Sequence, residues 1–96
     1  MTMNEIINKY RHDCNRKSTT IEEVDDTVIV VPKQDAEVMG IYKAESLGLT
    51  AEDPFGDLPD RLANQMVFIL EVDGVLYLIN TEGYSYCRYV AKCEIS

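Results

Sequence analysis

The hydrophobic pattern is densest in residues 66–95, where three apolar runs are separated by two glycine-containing turns. The runs cover residues 67–72, 75–81 and 84–93. Asp73-Gly74 lies between the first two runs, and Glu82-Gly83 lies between the second and the third. Asp-Gly between β-branched and aromatic runs is a strong hairpin signal, because a type I′ turn needs positive φ at both central positions. The pattern predicts a three-stranded antiparallel meander.

Two-residue turns fix the register of this meander. The first turn pairs Leu70 with Tyr77, and the second pairs Tyr77 with Arg88. Directly paired side chains share a face. One face then carries Phe68, Leu70, Val72, Val75, Tyr77, Ile79, Tyr84, Tyr86, Arg88 and Val90. The other carries Val67, Ile69, Glu71, Leu76, Leu78, Asn80, Ser85, Cys87, Tyr89, Ala91 and Cys93. Both faces are largely apolar, which predicts that each is covered.

The first half of the chain predicts two helices and one strand. Apolar residues at helical spacing over residues 3–16 indicate an amphipathic helix, and residues 27–31 form a β-branched run that ends at Pro32. A second helix is predicted over roughly residues 36–46, with Asp35 as its N-cap and Gly48 as its C-terminal cap. The residues of the first apolar stripe are Met3, Ile6, Ile7, Tyr10 and Cys14.

Residues 49–60 contain prolines, glycine and carboxylates and predict an acidic loop, after which Pro59 opens a short helical turn at residues 61–63. The expected fold class is therefore α+β. It has a mostly antiparallel sheet of about four strands, an N-terminal amphipathic helix and a second short helix. We expect residues 1–96 to form a single domain.

Charge adds a constraint on partners. The formal net charge is −8, and residues 18–87 hold fourteen acidic side chains against three basic ones. Such a surface repels nucleic acid and anionic lipid and attracts basic protein surfaces, so we expect neither direct nucleic-acid binding nor membrane binding. The sequence has no long apolar stretch and no basic-then-apolar leader. Three cysteines without C-x-x-C spacing predict reduced thiols, and the expected location is the cytoplasm.

No motif for catalysis is present. The one histidine, His12, lies on the polar side of the first predicted helix, and no phosphate-binding loop, nucleophile elbow or zinc-protease pattern occurs. We expect no enzymatic activity and no cofactor. Asp53, Asp57 and Asp60 could offer oxygen ligands to a cation, but their spacing does not match a calcium loop, so no metal site is predicted.

The leading functional hypothesis is charge mimicry, in which carboxylates on a fixed scaffold stand where a protein expects phosphates. A second hypothesis is an adaptor that binds a partner through the tyrosine-rich sheet face. A third is a small-ligand or nucleotide-sequestering module built on Glu71, Asn80, Tyr77 and Arg88. The acidic candidates are Glu22, Glu23, Asp25, Asp26, Asp35, Glu37, Glu45, Glu52, Asp53, Asp57 and Asp60. The candidates for a dimer or partner face are Tyr77, Tyr84, Tyr86 and Arg88.

In size, in its acidic middle and in its α+β pattern, the chain resembles the small acidic early proteins with which bacteriophages disable host defences. It looks most like the Arn family of anti-restriction DNA mimics from T-even phages. The resemblance implies an inhibitor that blocks a host DNA-binding or restriction enzyme in the host cytoplasm, acting as a homodimer whose surface copies a duplex. A homodimer is also expected from the pattern itself, because two helices offer little cover for two apolar sheet faces.

Overall fold

The computed structural model describes residues 2–11, 13–14, 17–18, 20–50, 52–86 and 88–96. The predictions made for His12 and Cys87 lie outside these ranges. Within them, the helices are α1 (Met3–Tyr10), α2 (Lys33–Met39) and α3 (Asp60–Gln65), with short 3₁₀ helices at Ile21–Glu23 and Ala44–Leu47. The strands are β1 (Val28–Val31), β2 (Ile41–Lys43), β3 (Val67–Val72), β4 (Val75–Asn80) and β5 (Tyr89–Ile95).

The five strands form one mixed sheet in the order β1-β5-β4-β3-β2. The central strands β3, β4 and β5 are antiparallel, whereas the edge strands β1 and β2 pair in parallel with β5 and β3. The α+β class is confirmed. The prediction of about four mostly antiparallel strands is wrong in detail, because β2 is an additional strand and both edges of the sheet are parallel.

The first hairpin of the meander is confirmed. Val72 pairs with Val75 and Leu70 pairs with Tyr77, as the two-residue turn requires. Asp73 has φ of 50° and Gly74 has φ of 81°, so both central residues take the left-handed conformation of a type I′ turn.

Because Gly74 has positive φ, a β-branched residue there would be strained. We expect Gly74→Val to lower the free energy of unfolding by about 1 to 2 kcal/mol, while Gly74→Asn costs much less because asparagine tolerates this conformation. Urea unfolding of the two variants measures the difference. Equal stability of the valine and asparagine variants would contradict the role of this turn.

The second turn forms, but the strand after it begins later than predicted. Glu82 and Gly83 have φ of 52° and 88°, and the amide of Tyr84 donates to the carbonyl of Thr81 at 3.0 Å. The chain then leaves the sheet until β5 begins, so Tyr77 pairs with Lys92 and not with Arg88. The predicted register is wrong by four residues. Because four is even, the side chains of β5 still point to the predicted faces.

Each face of the sheet is covered by the chain itself. On one face, which we call the helix side, α1 and α2 pack on the sheet; the core there contains Ile6, Tyr10, Cys14, Ala36, Met39, Val67, Ile69, Leu78 and Cys93. The opposite face is covered by α3, the 3₁₀ helices and the acidic loop; its core contains Val24, Ala44, Phe55, Leu58, Leu62, Phe68, Leu70, Val72, Tyr77, Ile79 and Val90. The structure removes the reason for expecting a dimer that buries a sheet face.

Both predicted helices are shorter than expected. Helix α1 ends at Tyr10, after a capping box in which the Thr2 hydroxyl accepts the amide of Glu5. Helix α2 ends at Met39, because Gly40 has φ of 90° and the chain then enters β2. A side chain at Gly40 would lie 2.9 Å from the ring of Tyr42, which explains why the chain turns at a glycine.

The sequence signals predicted for helix ends at Gly48 and Pro59 are both present in the structure. Gly48 caps the second 3₁₀ helix with φ of 78°, as predicted for a C-terminal glycine, although the element it ends is not an α-helix. Pro59 directly precedes α3, as predicted. Across the described part of the chain, no helix has the length and apolar character needed to cross a membrane.

Candidate functional site: an acidic side with two exposed tyrosines

Asp35 does not belong to the acidic surface. It lies in the first turn of α2, where its carboxylate accepts hydrogen bonds from Lys9 Nζ and from the Tyr10 hydroxyl, both at 2.6 Å. The hydrogen bond from Lys9 is the largest cause that lowers the pKa of Asp35, followed by the one from Tyr10. Burial and the same carboxylate raise the pKa of Tyr10. The prediction that Asp35 is an N-cap and a partner contact is corrected: it joins α1 to α2.

Glu37 is exposed on α2 and is therefore on the helix side. The other nine predicted carboxylates are exposed on segments that cover the opposite face of the sheet. These segments are anchored through Val24, Ala44, Phe55 and Leu58. We call this surface the acidic side; its carboxylates are Glu22, Glu23, Asp25, Asp26, Glu45, Glu52, Asp53, Asp57 and Asp60.

The end of the sheet near the β3–β4 turn carries part of the acidic side. Glu45 and Asp73 both line a groove of about 240 Å³ at this turn. Burial is the largest influence on the pKa of Tyr77 and raises it; Lys92 lowers this pKa, while Asp73 and Glu22 raise it further. The groove places Glu45 of the second 3₁₀ helix beside the β3–β4 turn.

Two basic side chains lie close to carboxylates or aromatic rings of this side. Lys92 Nζ lies 3.1 Å from Asp26 Oδ1, and the Asp26 side chain is otherwise fully exposed. Arg61 lies over the ring of Tyr42, with 5.7 Å between its guanidinium carbon and the ring centre. An exposed ion pair such as Lys92–Asp26 contributes little to the free energy of unfolding.

Two residues of the predicted dimer or partner face are buried. Tyr77 and Arg88 are each 2% exposed, and the ring of Tyr77 packs edge-on against Phe55 with 5.7 Å between the ring centres. They are part of the core of one chain, which corrects their assignment to a contact surface. Tyr84 and Tyr86 are 53% and 68% exposed, and their ring centres are 5.5 Å apart.

Arg88 connects the tyrosines to the acidic loop. Its guanidinium donates to the carbonyls of Gly56 and Ser85, and to that of Tyr84 at 3.4 Å. The amide of Leu58 donates to the carbonyl of Ser85 at 3.2 Å. A buried arginine with several carbonyl acceptors is a strong local constraint. The segment that carries Tyr84 and Tyr86 is thereby held against the loop that carries Asp53 and Asp57.

The sequence indicated each half of this arrangement separately. It showed a cluster of tyrosines around one arginine and a loop rich in carboxylates, but it placed Arg88 on a sheet face. The contact between Arg88 and Gly56 joins residues that are distant in sequence, and no local pattern announces it. The Pro-Phe-Gly segment that precedes Asp57 was the available hint, since its buried Phe55 anchors the loop.

The residues proposed for a ligand pocket do not converge. Glu71 and Asn80 are on the helix side of their strands, whereas Tyr77 is on the opposite face. The Asn80 side chain accepts the amide of Glu82 at 2.9 Å and so supports the turn. Arg88 is engaged with loop carbonyls. The structure does not bring these four side chains together around a ligand.

The described residues also offer no obvious reactive centre. No group of three or more His, Cys, Asp or Glu side chains within them is arranged to hold a metal ion. Burial raises the pKa of Cys14 to about 12 and that of Cys93 to about 11, so both thiols stay protonated near neutral pH. The Cys14 thiol lies 3.3 Å from the carbonyl of Leu78, to which it donates a hydrogen bond. Both cysteines act as small apolar core residues.

The comparisons with known proteins give no functional assignment, so a functional proposal rests on the geometry described above. No protein-family model, no curated protein and no solved structure matched the chain. The surface features on which a functional proposal can rest are the acidic side and the exposed pair Tyr84 and Tyr86. The buried Arg88 holds these two tyrosines beside the acidic loop.

Proposed function

We propose that this chain is a non-enzymatic inhibitor whose acidic side occupies the DNA-binding surface of another protein. The observation that carries the proposal is an excess of carboxylates on one side: nine exposed carboxylates lie on segments covering one sheet face, where Lys92 and Arg61 also lie, whereas Lys9, Arg11 and Lys17 belong to α1 and the segment after it. A surface with one dominant sign of charge attracts a partner of the opposite sign over a long range. The target is accordingly a protein with a basic, phosphate-binding surface.

Carboxylates can occupy phosphate positions because both groups accept charge-assisted hydrogen bonds from arginine and lysine. The acidic side presents them from a fixed scaffold, since the loop is anchored by buried Phe55 and Leu58 and by the donors of Arg88. Tyr84 and Tyr86 add exposed aromatic faces beside this loop, on which an arginine of the target can stack. Charge gives attraction and rate of association, and the tyrosines add contact area.

The resemblance to anti-restriction DNA mimics of T-even phages suggests the first targets to test. These are host enzymes that bind or cleave DNA, in the host cytoplasm if the chain is phage-encoded. Such an enzyme holds basic side chains in a groove that fits a duplex, and an acidic protein that fills the groove excludes DNA without any chemical step.

We expect the double variant Asp53→Asn/Asp57→Asn to bind such a target about two- to thirtyfold more weakly, because each exposed ion pair contributes roughly 0.2 to 1 kcal/mol. The matched control is Asp13→Asn/Glu37→Gln, which removes the same charge away from the acidic side. The assay captures proteins from a bacterial lysate, elutes them with duplex DNA, and measures affinity for each variant with the purified target at low and high salt.

Equal weakening by the control pair would show that net charge alone matters and would contradict a specific surface. Binding that duplex DNA does not displace would contradict mimicry. An adaptor role remains the second candidate because Tyr84 and Tyr86 are exposed and fixed. Loss of binding in Tyr84→Ala/Tyr86→Ala, with unchanged binding of both amide variants, would favour the adaptor.

A further inference from the structure

The outer edge of β1 is a part of the sheet that the described chain leaves open. β1 is at one end of the strand order and pairs with β5. The amide of Ser96 donates to the carbonyl of Val31 at 3.1 Å, so the backbone polar groups of Val31 point towards β5. Since this direction alternates along a strand, Val28 and Val30 turn their N–H and C=O groups outward. No backbone hydrogen bond from a described turn, loop or cap reaches either valine.

The side chains of this edge are also exposed. Val28 is 47% and Val30 is 53% exposed, although neither has a polar group to solvate. The opposite edge, β2, has three residues and ends in Lys43, a charged residue of the kind that discourages strand addition. β1 consists of four β-branched residues without any charge. Of the two edges, β1 is the one suited to accept another strand.

We propose that β1 pairs antiparallel with β1 of a second copy of this chain, joining the two sheets into one. The two-fold axis passes perpendicular to the sheet between the two Ile29 residues. Val28 then lies opposite the partner's Val30, and each such pair exchanges two backbone hydrogen bonds. Residues that face each other share a face of the sheet, so the exposed valines of both copies become neighbours.

Two local features favour this register. Centring the axis on Val30 would place Val28 opposite the partner's Pro32, which has no N–H to donate. A shift by one residue would turn the valines to opposite faces. The edge is therefore complementary to itself, which identifies a second copy as its occupant.

This dimer is independent of the proposed inhibitory function, and salt distinguishes the two. Each chain carries a net charge of −8, so two copies repel each other at low salt. Screening reduces that repulsion, and we expect dimerisation to strengthen as salt rises. Binding of a basic target by the acidic side weakens with salt instead. Either proposal can consequently fail without affecting the other.

Charge substitutions at the paired valines test the register by sedimentation velocity. In Val28→Glu/Val30→Glu and in Val28→Lys/Val30→Lys, like charges face each other across the axis. We expect the dissociation constant of these dimers to rise by about tenfold or more. In Val28→Glu/Val30→Lys, the new glutamate of one copy faces the new lysine of the other, and the dimer is retained. The Val28→Lys/Val30→Lys variant carries a less negative net charge than the wild type. General repulsion between chains therefore cannot explain dissociation of its dimer.

The measurement covers about 1 to 100 µM protein at low and high salt, with circular dichroism melting to verify that each variant is folded. A wild-type chain that is dimeric, with both like-charge variants monomeric and the mixed variant dimeric, supports the proposal. A wild-type monomer throughout the concentration range overturns it. So does a dimer that persists in both like-charge variants, or a folded mixed variant that is monomeric while the wild type is dimeric.

Discussion

Replacing Arg88 with methionine is expected to lower the free energy of unfolding by about 3 kcal/mol and to detach the acidic loop from the segment of Tyr84 and Tyr86. Methionine preserves much of the apolar stem but removes every donor. The carbonyls of Gly56, Ser85 and Tyr84 then lose charge-assisted hydrogen bonds inside a buried site. Urea unfolding measures the stability, and hydrogen exchange of the Leu58 amide measures the release of the loop.

Arg61→Met is the matched control, since it removes one positive charge from an exposed arginine on the same side of the sheet. We expect a loss of no more than about 1 kcal/mol, the usual range of an exposed cation–π contact. If Arg88→Met were as stable as this control and the Leu58 amide stayed protected, Arg88 would not be what holds the two loops together.

The second large effect is expected from Asp35→Ala. This change removes the acceptor of Lys9 and Tyr10 and should lower the free energy of unfolding at pH 7 by about 3 kcal/mol, because each hydrogen bond to a charged group contributes roughly 1.5 to 3 kcal/mol. Lys9 is partly exposed, so its share lies at the low end. Glu37→Ala, on an exposed position of the same helix, controls for loss of an acidic residue.

The same residue predicts a pH dependence. The pKa of Asp35 is lower in the folded chain than its ordinary value of 3.8, so the ionised carboxylate favours the folded state. Its contribution is complete above that ordinary value and is lost as pH falls through the folded pKa. The stability difference between wild type and Asp35→Ala should therefore be constant from about pH 5 to 8 and shrink below about pH 4. A difference that grew on acidification would contradict this assignment.

Sequence reasoning predicted what depends on neighbouring residues. Asp73-Gly74 forms the expected turn, Pro59 opens a helix, and the core residues of β3, β4 and β5 lie on the predicted faces. The faces were correct even though β5 begins at Tyr89, since an excursion of four residues preserves the alternation of side chains. The residues before Tyr89 have strand-like composition, but Arg88 donates to the carbonyl of Gly56 and the carbonyl of Ser85 accepts the amide of Leu58, so described residues of this segment contact the acidic loop instead.

The errors concern residues whose role depends on distant partners. Asp35 has the local properties of a helix cap, but it lies against Lys9 and Tyr10 of another helix, where its charge is satisfied inside the protein. Gly40 lies inside the helix predicted over residues 36–46, but the observed helix ends before it, because the next residues pair with β3. Tertiary contacts overrode local propensity in both cases.

Of the candidate site, the sequence predicted the carboxylates but not their division between two sides. Glu37 and Asp57 look alike in the sequence, and only the packing of α2 and of the acidic loop on opposite faces separates them. Tyr84 and Tyr86 were expected on a sheet face with Tyr77. The structure buries Tyr77 and exposes the other two, because the chain leaves the sheet between Glu82 and β5.

The strand order has a consequence for how the chain folds. β3 and β4 form a local hairpin, whereas β1 pairs with β5, which is far along the chain. Contacts of such long sequence separation form slowly. Until then, the four β-branched residues of β1 have two open edges, the kind of segment that aggregates. Asp25 and Asp26 come just before Thr27 and β1, and charges flanking such a segment oppose its aggregation.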